Sequence, residues 1–232
     1  MKTIVLMPTY NEAKSISETV HALRNQALAV DLLIIDDASP DGTGKIADGL
    51  ANGNTFVLHR THKAGLGAAY VAGFGWAIER GYELIIEMDA DGSHRAEDLK
   101  NIIAAAVNAD LVLGSRWVSG GRVLGWPIHR QLISRIGNLY ARVMLRTEIS
   151  DMTSGFRAYK TSLLQSLELS KVSARGYAFQ VEMALLAARA NARIIEVPIT
   201  FVERAHGNSK MTTAIVLEAL WLVTKWAFYR SA

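Results

Sequence analysis

Five short runs rich in β-branched and aliphatic residues, at 3–7, 32–36, 55–59, 84–88 and 110–113, punctuate the first half of this 232-residue chain. Between them lie longer stretches, such as 15–26 and 97–107, whose apolar residues recur at helical spacing. Asn52-Gly53-Asn54 and Arg80-Gly81 break two of those stretches and return the chain to a strand. Strand and helix in alternation predict a largely parallel sheet, because parallel neighbours need a long crossover and a helix supplies it. The expectation is an α/β, doubly wound open sheet. Ligands of such sheets bind beyond the carboxyl ends of the strands, so the polar residues directly after each strand are the ones to watch.

From about residue 114 the pattern changes to a Gly/Trp-rich loop, a long helical stretch over 129–146, a Ser/Thr/Gly turn and a second helix over 179–190. These read as helical insertions over the catalytic edge. Residues 193–202 read as one more strand, with Pro198 better suited to an edge or a bulge than to a central position. A basic loop and a final apolar helix follow. The chain thus divides into a catalytic domain over 1–211 and a terminal apolar, amphipathic helix over 212–232.

With 25 basic against 22 acidic side chains and a net charge of +3, the chain has no uniform basic field, so nucleic acid is not the expected partner. Cysteine is absent, which excludes disulfides, thiolate metal sites and thiol nucleophiles, and fits a reducing compartment. The apolar run that ends at Pro8 is too short for the core of a signal peptide, so a cytoplasmic location is expected.

The sharpest chemical signal is Glu87-Met88-Asp89-Ala90-Asp91-Gly92-Ser93-His94, where an apolar run ends. Residues two apart on an extended segment point the same way, so Asp89 and Asp91 are expected on one side. Like charges so close favour a cation between them, and oxygen ligands favour Mg²⁺ or Mn²⁺. An Asp-rich solvated turn is the competing reading of so short a pattern. Asp36-Asp37-Ala38-Ser39-Pro40-Asp41-Gly42-Thr43 likewise ends a strand: an acid there suits a ribose or base, while Ser39, Asp41 and Gly42 equally suit a turn and a helix cap. Tyr10 and Glu12 follow the first run, and Lys63-Ala64-Gly65-Leu66-Gly67 is a glycine-containing turn into a helix.

Taken in order, Pro8-Thr9-Tyr10-Asn11-Glu12, Asp36-Asp37-x-Ser39-Pro40-Asp41-Gly42-Thr43, Lys63-x-Gly65-Leu66-Gly67, Asp89-x-Asp91, Gly114-Ser115-Arg116 and Ser154-Gly155-Phe156-Arg157 resemble the family-2 inverting glycosyltransferases, specifically the dolichol-phosphate (polyprenyl-phosphate) mannose synthases. The likeness runs from residue 3 to about residue 211. It implies the GT-A fold, GDP-mannose as donor, a dolichyl or polyprenyl phosphate as acceptor and a divalent metal, Mg²⁺ or Mn²⁺. Position by position, it implies that Pro8, Tyr10, Glu12, Asp37, Lys63, Asp89 and Ala90 hold the donor nucleotide. Asp89 and Asp91 serve the metal, Arg116 faces the reacting phosphates, and Arg130 with Ser134 grips the acceptor phosphate. Arg204 and Lys210 belong to a basic loop that closes over the diphosphate. Many relatives carry Gln where this chain has Ser93, whose shorter hydroxyl would meet the metal through a water.

The basic residues also make sense without the family, since a diphosphate and a phosphate acceptor gather several negative charges that only metal, Arg and Lys can balance. A solvated helical face is the alternative for Arg130, Arg135, Arg142 and Arg146. A phosphate acceptor is already mostly dianionic at neutral pH and needs no base. For a sugar-hydroxyl acceptor, Asp151 and Glu182 are the candidates, with capping and a helix position as their structural readings. UDP-glucose is the alternative donor, and a non-catalytic nucleotide-sugar binding module the alternative class. The stretch 214–230 is apolar but holds Glu218 and Lys225, so it reads either as an interfacial helix on the cytoplasmic face of a membrane, with Trp221, Trp226, Tyr229 and Arg230 at headgroup level, or as a helix packed on the domain. Some relatives continue into membrane helices, and a membrane partner subunit is a further expectation of the resemblance.

Overall fold

The computed structural model describes residues 1–172, 174, 176–204 and 213–228. Its centre is a seven-stranded sheet. In chain order the strands and helices begin with β1 (Thr3–Thr9), α1 (Ile16–Arg24), β2 (Asp31–Asp36), α2 (Thr43–Leu50), β3 (Thr55–His59), α3 (Leu66–Glu79), β4 (Leu84–Glu87), α4 (Leu99–Ala106) and β5 (Leu111–Ser115). There follow β6 (Arg122–Leu124), α5 (Ile128–Leu145), β7 (Arg157–Lys160), α6 (Thr161–Ser166), α7 (Tyr177–Arg189), β8 (Ile194–Pro198), β9 (Thr200–Val202) and α8 (Thr213–Phe228). The order across the sheet is β3-β2-β1-β4-β7-β5-β8, with β6 and β9 in a separate pair. All five runs read from the sequence are strands, and the sheet is doubly wound as expected.

Strand alternation explains the two layers around the sheet. In β1, Ile4 and Leu6 pack into the core that α3 and α7 cover, while Val5 and Met7 pack into the core on the other face, under α1 and α4. Gly73 lets α3 approach closely, since a Cβ there would lie 2.5 Å from Ile35 Cδ1.

Two departures from the sequence reading shape the site. A short strand, β7, enters between β4 and β5 and runs antiparallel to both, pairing Glu87 with Arg157 and Leu113 with Arg157. Its four residues, Arg-Ala-Tyr-Lys, carry too little periodicity to stand out. The strand expected over 193–202 is instead two: β8 pairs with β5 at the edge of the main sheet, and β9 pairs with β6. Pro198 closes β8, as its missing N–H allows at an edge, and buried Ile199 joins the sheets by donating to Ser115 O and accepting from Arg122 N.

α8 packs on α5 and α7 through buried Val223, the Tyr140–Thr224 hydroxyl contact at 2.6 Å and an Arg189 hydrogen bond to Trp226 O. It leaves Leu217, Trp221 and Phe228 exposed, so the helix is packed on the domain along one side. Among the described residues no helix is long and apolar enough to cross a membrane.

The loop after β5 folds back so tightly that a Cβ on Gly121 would stand 2.6 Å from Ser115 O and 2.8 Å from the Arg116 carbonyl carbon, both backbone atoms unable to yield. Gly121→Ala should therefore destabilise the protein by about 1–3 kcal/mol, as overpacking does, visible as a fall of several degrees in the thermal midpoint. An unchanged midpoint would show that this loop is free to shift.

Candidate active site

β1, β2, β4 and β5 each end on the same edge of the sheet, so the residues after them meet there. After β1, Asn11 takes a left-handed conformation, φ 60°, and turns the chain. Glu12 then receives the Ser15 hydroxyl on its carboxylate at 2.9 Å, while its own N–H donates to Thr43 Oγ1 at 2.9 Å. After β2, buried Asp37 accepts from Arg60 at 2.6 Å and from the N–H groups of Ala64 and Gly65, which pins the loop that carries Lys63. The Lys63 ammonium sits 3.7 Å from the centre of the Tyr10 ring, a cation–π contact. Tyr10, Glu12, Asp37 and Lys63 thus form one flank, with Pro8 on β1 behind them. Asp41 accepts from Ala13 N, Thr43 N and Thr43 Oγ1, and Gly42 has φ 90°, so the turn-and-cap reading is the one observed for these residues.

β4 ends at Glu87, so a turn rather than strand alternation sets the two aspartates, with Gly92 at φ 76°. Asp89 is about one-third exposed and lines the central cleft; Ala90 is buried and its carbonyl accepts from Thr19 Oγ1. Asp91 is nearly buried, receives the Ser93 N–H at 3.0 Å, and lies 3.3 Å from the Arg204 guanidinium. Burial alone would raise the Asp91 carboxyl, but contact with Ser93 and the charges of Arg204 and His94 outweigh it and hold it below the ordinary carboxylate range. The Ser93 hydroxyl is buried against Asp91. The Asp89 and Asp91 carboxylates and this hydroxyl are hard oxygen donors, the kind that Mg²⁺ or Mn²⁺ takes. Among the described residues no group of three or more His, Asp or Glu side chains gathers that could hold a metal ion.

His94 braces the aspartate turn. Its Nδ1 accepts the Asp89 N–H at 3.1 Å, and its ring stacks on Phe156 and meets Phe201 edge-on. A β-bridge to Phe201 and the Val202 N–H donated to Ser93 O join this turn to β9, immediately before Arg204.

Arg116, after β5, is held by buried Asp151: its Nε and N–H donate to Oδ2 at 2.7 and 2.9 Å, and its Nη2 to Oδ1 at 2.6 Å. Burial would raise the Asp151 carboxyl, yet the charge and hydrogen bonds of Arg116 outweigh it and lower the group below its ordinary value. Asp151 is therefore the anchor of Arg116 and a poor proton acceptor. Glu182, the other candidate base, accepts the Ala174 N–H at 2.9 Å. Arg157, fully buried, donates to the carbonyls of Met152, Ser154 and Gln180, each at 2.7 Å, and so shapes the turn that holds Asp151. In the sequence Arg157 shows only as part of the Ser154-Gly155-Phe156-Arg157 motif, because the strand that buries it has no pattern of its own.

A cleft of about 150 Å³ opens on this side of the sheet, and Tyr10, Glu12, Asp37 and Lys63 are not among its lining residues. Asp89, Arg116, Arg130, Ser134 and Arg204 lie on it, together with Trp126 and Phe201, and α5 and α8 supply apolar walls through Ile133, Ala141, Leu220 and Val223. Arg130 stacks on Trp126 at 3.9 Å and pairs with Glu203 at 2.9 Å. Asp91 joins the group through Arg204. Lys210, Tyr229 and Arg230 lie outside the described residues.

The model of glycosyl transferase family 2 matches residues 4–167, well over half of the chain. The chain belongs to glycosyl transferase family 2. Among this family, it is similar to the undecaprenyl-phosphate mannosyltransferase of Micrococcus luteus, 50% identical over 97% of this chain and 94% of that protein. It is 44% identical to the polyprenol monophosphomannose synthase of Mycolicibacterium smegmatis, over 97% of this chain and 86% of that one. Solved structures share the fold at lower identity. Glucosyl-3-phosphoglycerate synthase from Mycobacterium tuberculosis, in complex with Mn²⁺ and UDP, aligns with a TM-score of 0.66 at 20% identity over 97% of this chain and 77% of that one. A mannosyltransferase from Pyrobaculum calidifontis, in complex with GDP-Man and Mn²⁺, aligns at 0.61 and 18% over 97% and 71%. The family-2 enzyme here therefore has the GT-A fold.

Beneath the aspartates, Glu87 is fully buried, accepts from Gln180 Nε2 at 2.9 Å, and has no partner for Oε1 among the described residues. Burial pushes its carboxyl up to about 8, against the lowering by Arg157 and Gln180. A carboxyl raised on folding favours the native state below its unfolded value, about 4.3, and loses that advantage as pH climbs through its folded one. Glu87→Gln, neutral throughout, should gain stability over the parent by up to a few kcal/mol between pH 5 and pH 8.5, read by urea unfolding. A gap that stays constant across that window would place the Glu87 titration elsewhere.

Arg204 occupies the Asp91 carboxylate as a cation would. With the guanidinium removed, Arg204→Gln should bind Mn²⁺ in the absence of nucleotide roughly five- to tenfold more tightly, as loss of one near like charge predicts. Isothermal titration calorimetry reads this directly, and weaker or equal binding contradicts it.

Proposed function

We propose that this enzyme transfers mannose from GDP-mannose to a polyprenyl monophosphate, with inversion, at the cytoplasmic face of a membrane. The observation that carries the proposal is the cleft itself: an acidic and basic head formed by Asp89, Arg116, Arg130 and Arg204 continues between apolar walls of α5 and α8. Such a shape suits an acceptor that is a phosphate at one end and hydrocarbon at the other. The family-2 relatives named above act on polyprenyl phosphates by name, and their identity over nearly the whole chain supports the same substrate class here.

Tyr10, Glu12, Asp37 and Lys63 would receive the nucleoside, with Asp89 and Asp91 beside its diphosphate. A divalent ion at these aspartates would neutralise the leaving diphosphate. Arg116, fixed by Asp151, and Arg204 add positive charge from the protein, while Arg130 and Ser134 hold the acceptor phosphate. One acceptor oxygen then attacks the anomeric carbon. A new C–O bond forms as the bond to the β-phosphate oxygen breaks, and its electron pair leaves with GDP. No proton has to move, which agrees with Asp151 being engaged as the Arg116 anchor.

Incubating the enzyme with labelled GDP-mannose or UDP-glucose, a short polyprenyl phosphate and Mn²⁺ or Mg²⁺, then extracting with organic solvent, tests the reading. Mannose should enter the lipid phase and glucose should not. Asp91→Ala should lose at least about 100-fold in turnover, the scale of removing one electrostatic stabiliser, with an unchanged circular dichroism spectrum. Preference for UDP-glucose, or full activity of the variant, would falsify the donor or the metal assignment respectively.

A further inference from the structure

α5 carries Arg130 and Ser134, the two groups that hold the acceptor phosphate in the reading above, yet little of this helix reaches the core. Of its 18 residues two are buried, Asn138 and Ala141. Ala141 can only pack, and apolar contact is non-directional. Asn138 can fix a position, because a hydrogen bond weakens steeply with distance and angle.

The Asn138 amide joins two elements. Its Nδ2 donates to Ser134 O at 3.0 Å, one turn back on α5, and to Thr153 Oγ1 at 3.1 Å, in the turn that precedes β7. The same Thr153 oxygen accepts from Arg116 Nη2 at 2.8 Å, and its hydroxyl donates to Asp151 Oδ1 at 3.3 Å. Hydrogen bonds thus run without a break from the buried Arg116–Asp151 pair through Thr153 and Asn138 to the backbone of Ser134. Stability does not account for this amide: its Oδ1 is buried with no partner among the described residues, and a half-satisfied polar group in a core is worse than an apolar one. What it supplies is the register of α5 on the site. Register matters for an in-line attack, in which a displacement of about 1 Å costs up to about 100-fold in rate.

We propose that Asn138 is a positioning residue. It fixes α5 on the unit of Arg116, Asp151 and Thr153, and so sets the distance from an acceptor phosphate on Arg130 and Ser134 to the donor beside Arg116. The inference rests on the reading that Arg130 and Ser134 hold the acceptor.

Asn138→Leu, which keeps the branching of the side chain, and Asn138→Ala, which adds no bulk, both remove the link. Ser134 O retains its helical N–H partner and Thr153 retains Arg116, so Asn138→Leu should unfold within a few degrees of the parent. With GDP-mannose, Mn²⁺ and a short water-soluble prenyl phosphate, kcat should fall about tenfold or more in both variants. The dissociation constant for GDP with Mn²⁺ should stay within about twofold, and so should hydrolysis of GDP-mannose without acceptor, which does not depend on α5. The ratio of hydrolysis to transfer then rises, a change that general damage to the fold does not give. Unchanged transfer in either variant overturns the proposal, as does a joint fall of transfer, hydrolysis and GDP binding. Hydrogen exchange reads the same link with no substrate present: amides of α5 should exchange several-fold faster in both variants while those of β1 and β4 do not change. Equal exchange in α5 also overturns it. A parent that transfers no mannose removes the functional reading, and the exchange measurement then still decides whether Asn138 holds α5.

Discussion

The site depends on one buried ion pair, Arg116 with Asp151. Two ions removed from water cost several kcal/mol each, and their attraction repays this only with full hydrogen bonding. Here both carboxylate oxygens are engaged, one by Nε and the backbone N–H, the other by Nη2, which also reaches Thr153. Such a pair contributes little to net stability, and its value lies in position. It holds a guanidinium on the cleft in one orientation, backed by the rings of Trp117, Trp126 and Phe201 at 5.4–5.6 Å.

That pair exists because of the antiparallel strand. β7 inserts Arg157 between β4 and β5, and Arg157 gathers three carbonyls around the turn of residues 151–155, which in turn presents Asp151. Glu196 closes the same turn from β8, accepting the N–H groups of Ser150 and Asp151. A wholly parallel sheet would bring β4 and β5 side by side and leave Asp151 without this frame. The doubly wound half supplies the flank of Tyr10, Glu12, Asp37 and Lys63, and the insertion supplies the frame that fixes Arg116.

The first of these halves was legible because strand period, helix period and turn residues agree there: the run at 55–59 matches β3 residue for residue. The second was not, since β7, β6 and β9 are three or four residues long and draw their stability from tertiary pairing rather than pattern. The site residues were visible as charged groups after apolar runs, but their partners were not. Asp37 showed as an acid after a strand, yet its engagement by Arg60 and the Lys63 loop needs three-dimensional placement. Asp151 showed as a carboxylate suited to a base, and only its neighbour turned it into an anchor. A solvated face was one of two readings for the arginines of α5, and the exposed aliphatic residues beside them did not show in the sequence because an apolar helix face is ordinarily a buried one.

The aspartate turn and the end of β9 are tied together. Ser93 O, His94 and Asp91 engage Val202, Phe201 and Arg204 in succession, so the position of Arg204 is set from the aspartate turn. Arg204 cannot neutralise Asp91 and a second anion with full strength at once, because its one charge is shared between them. Were a cation to take over Asp91, that charge would be freed for another anion, which makes Asp91 the group that governs how strongly Arg204 acts on the cleft.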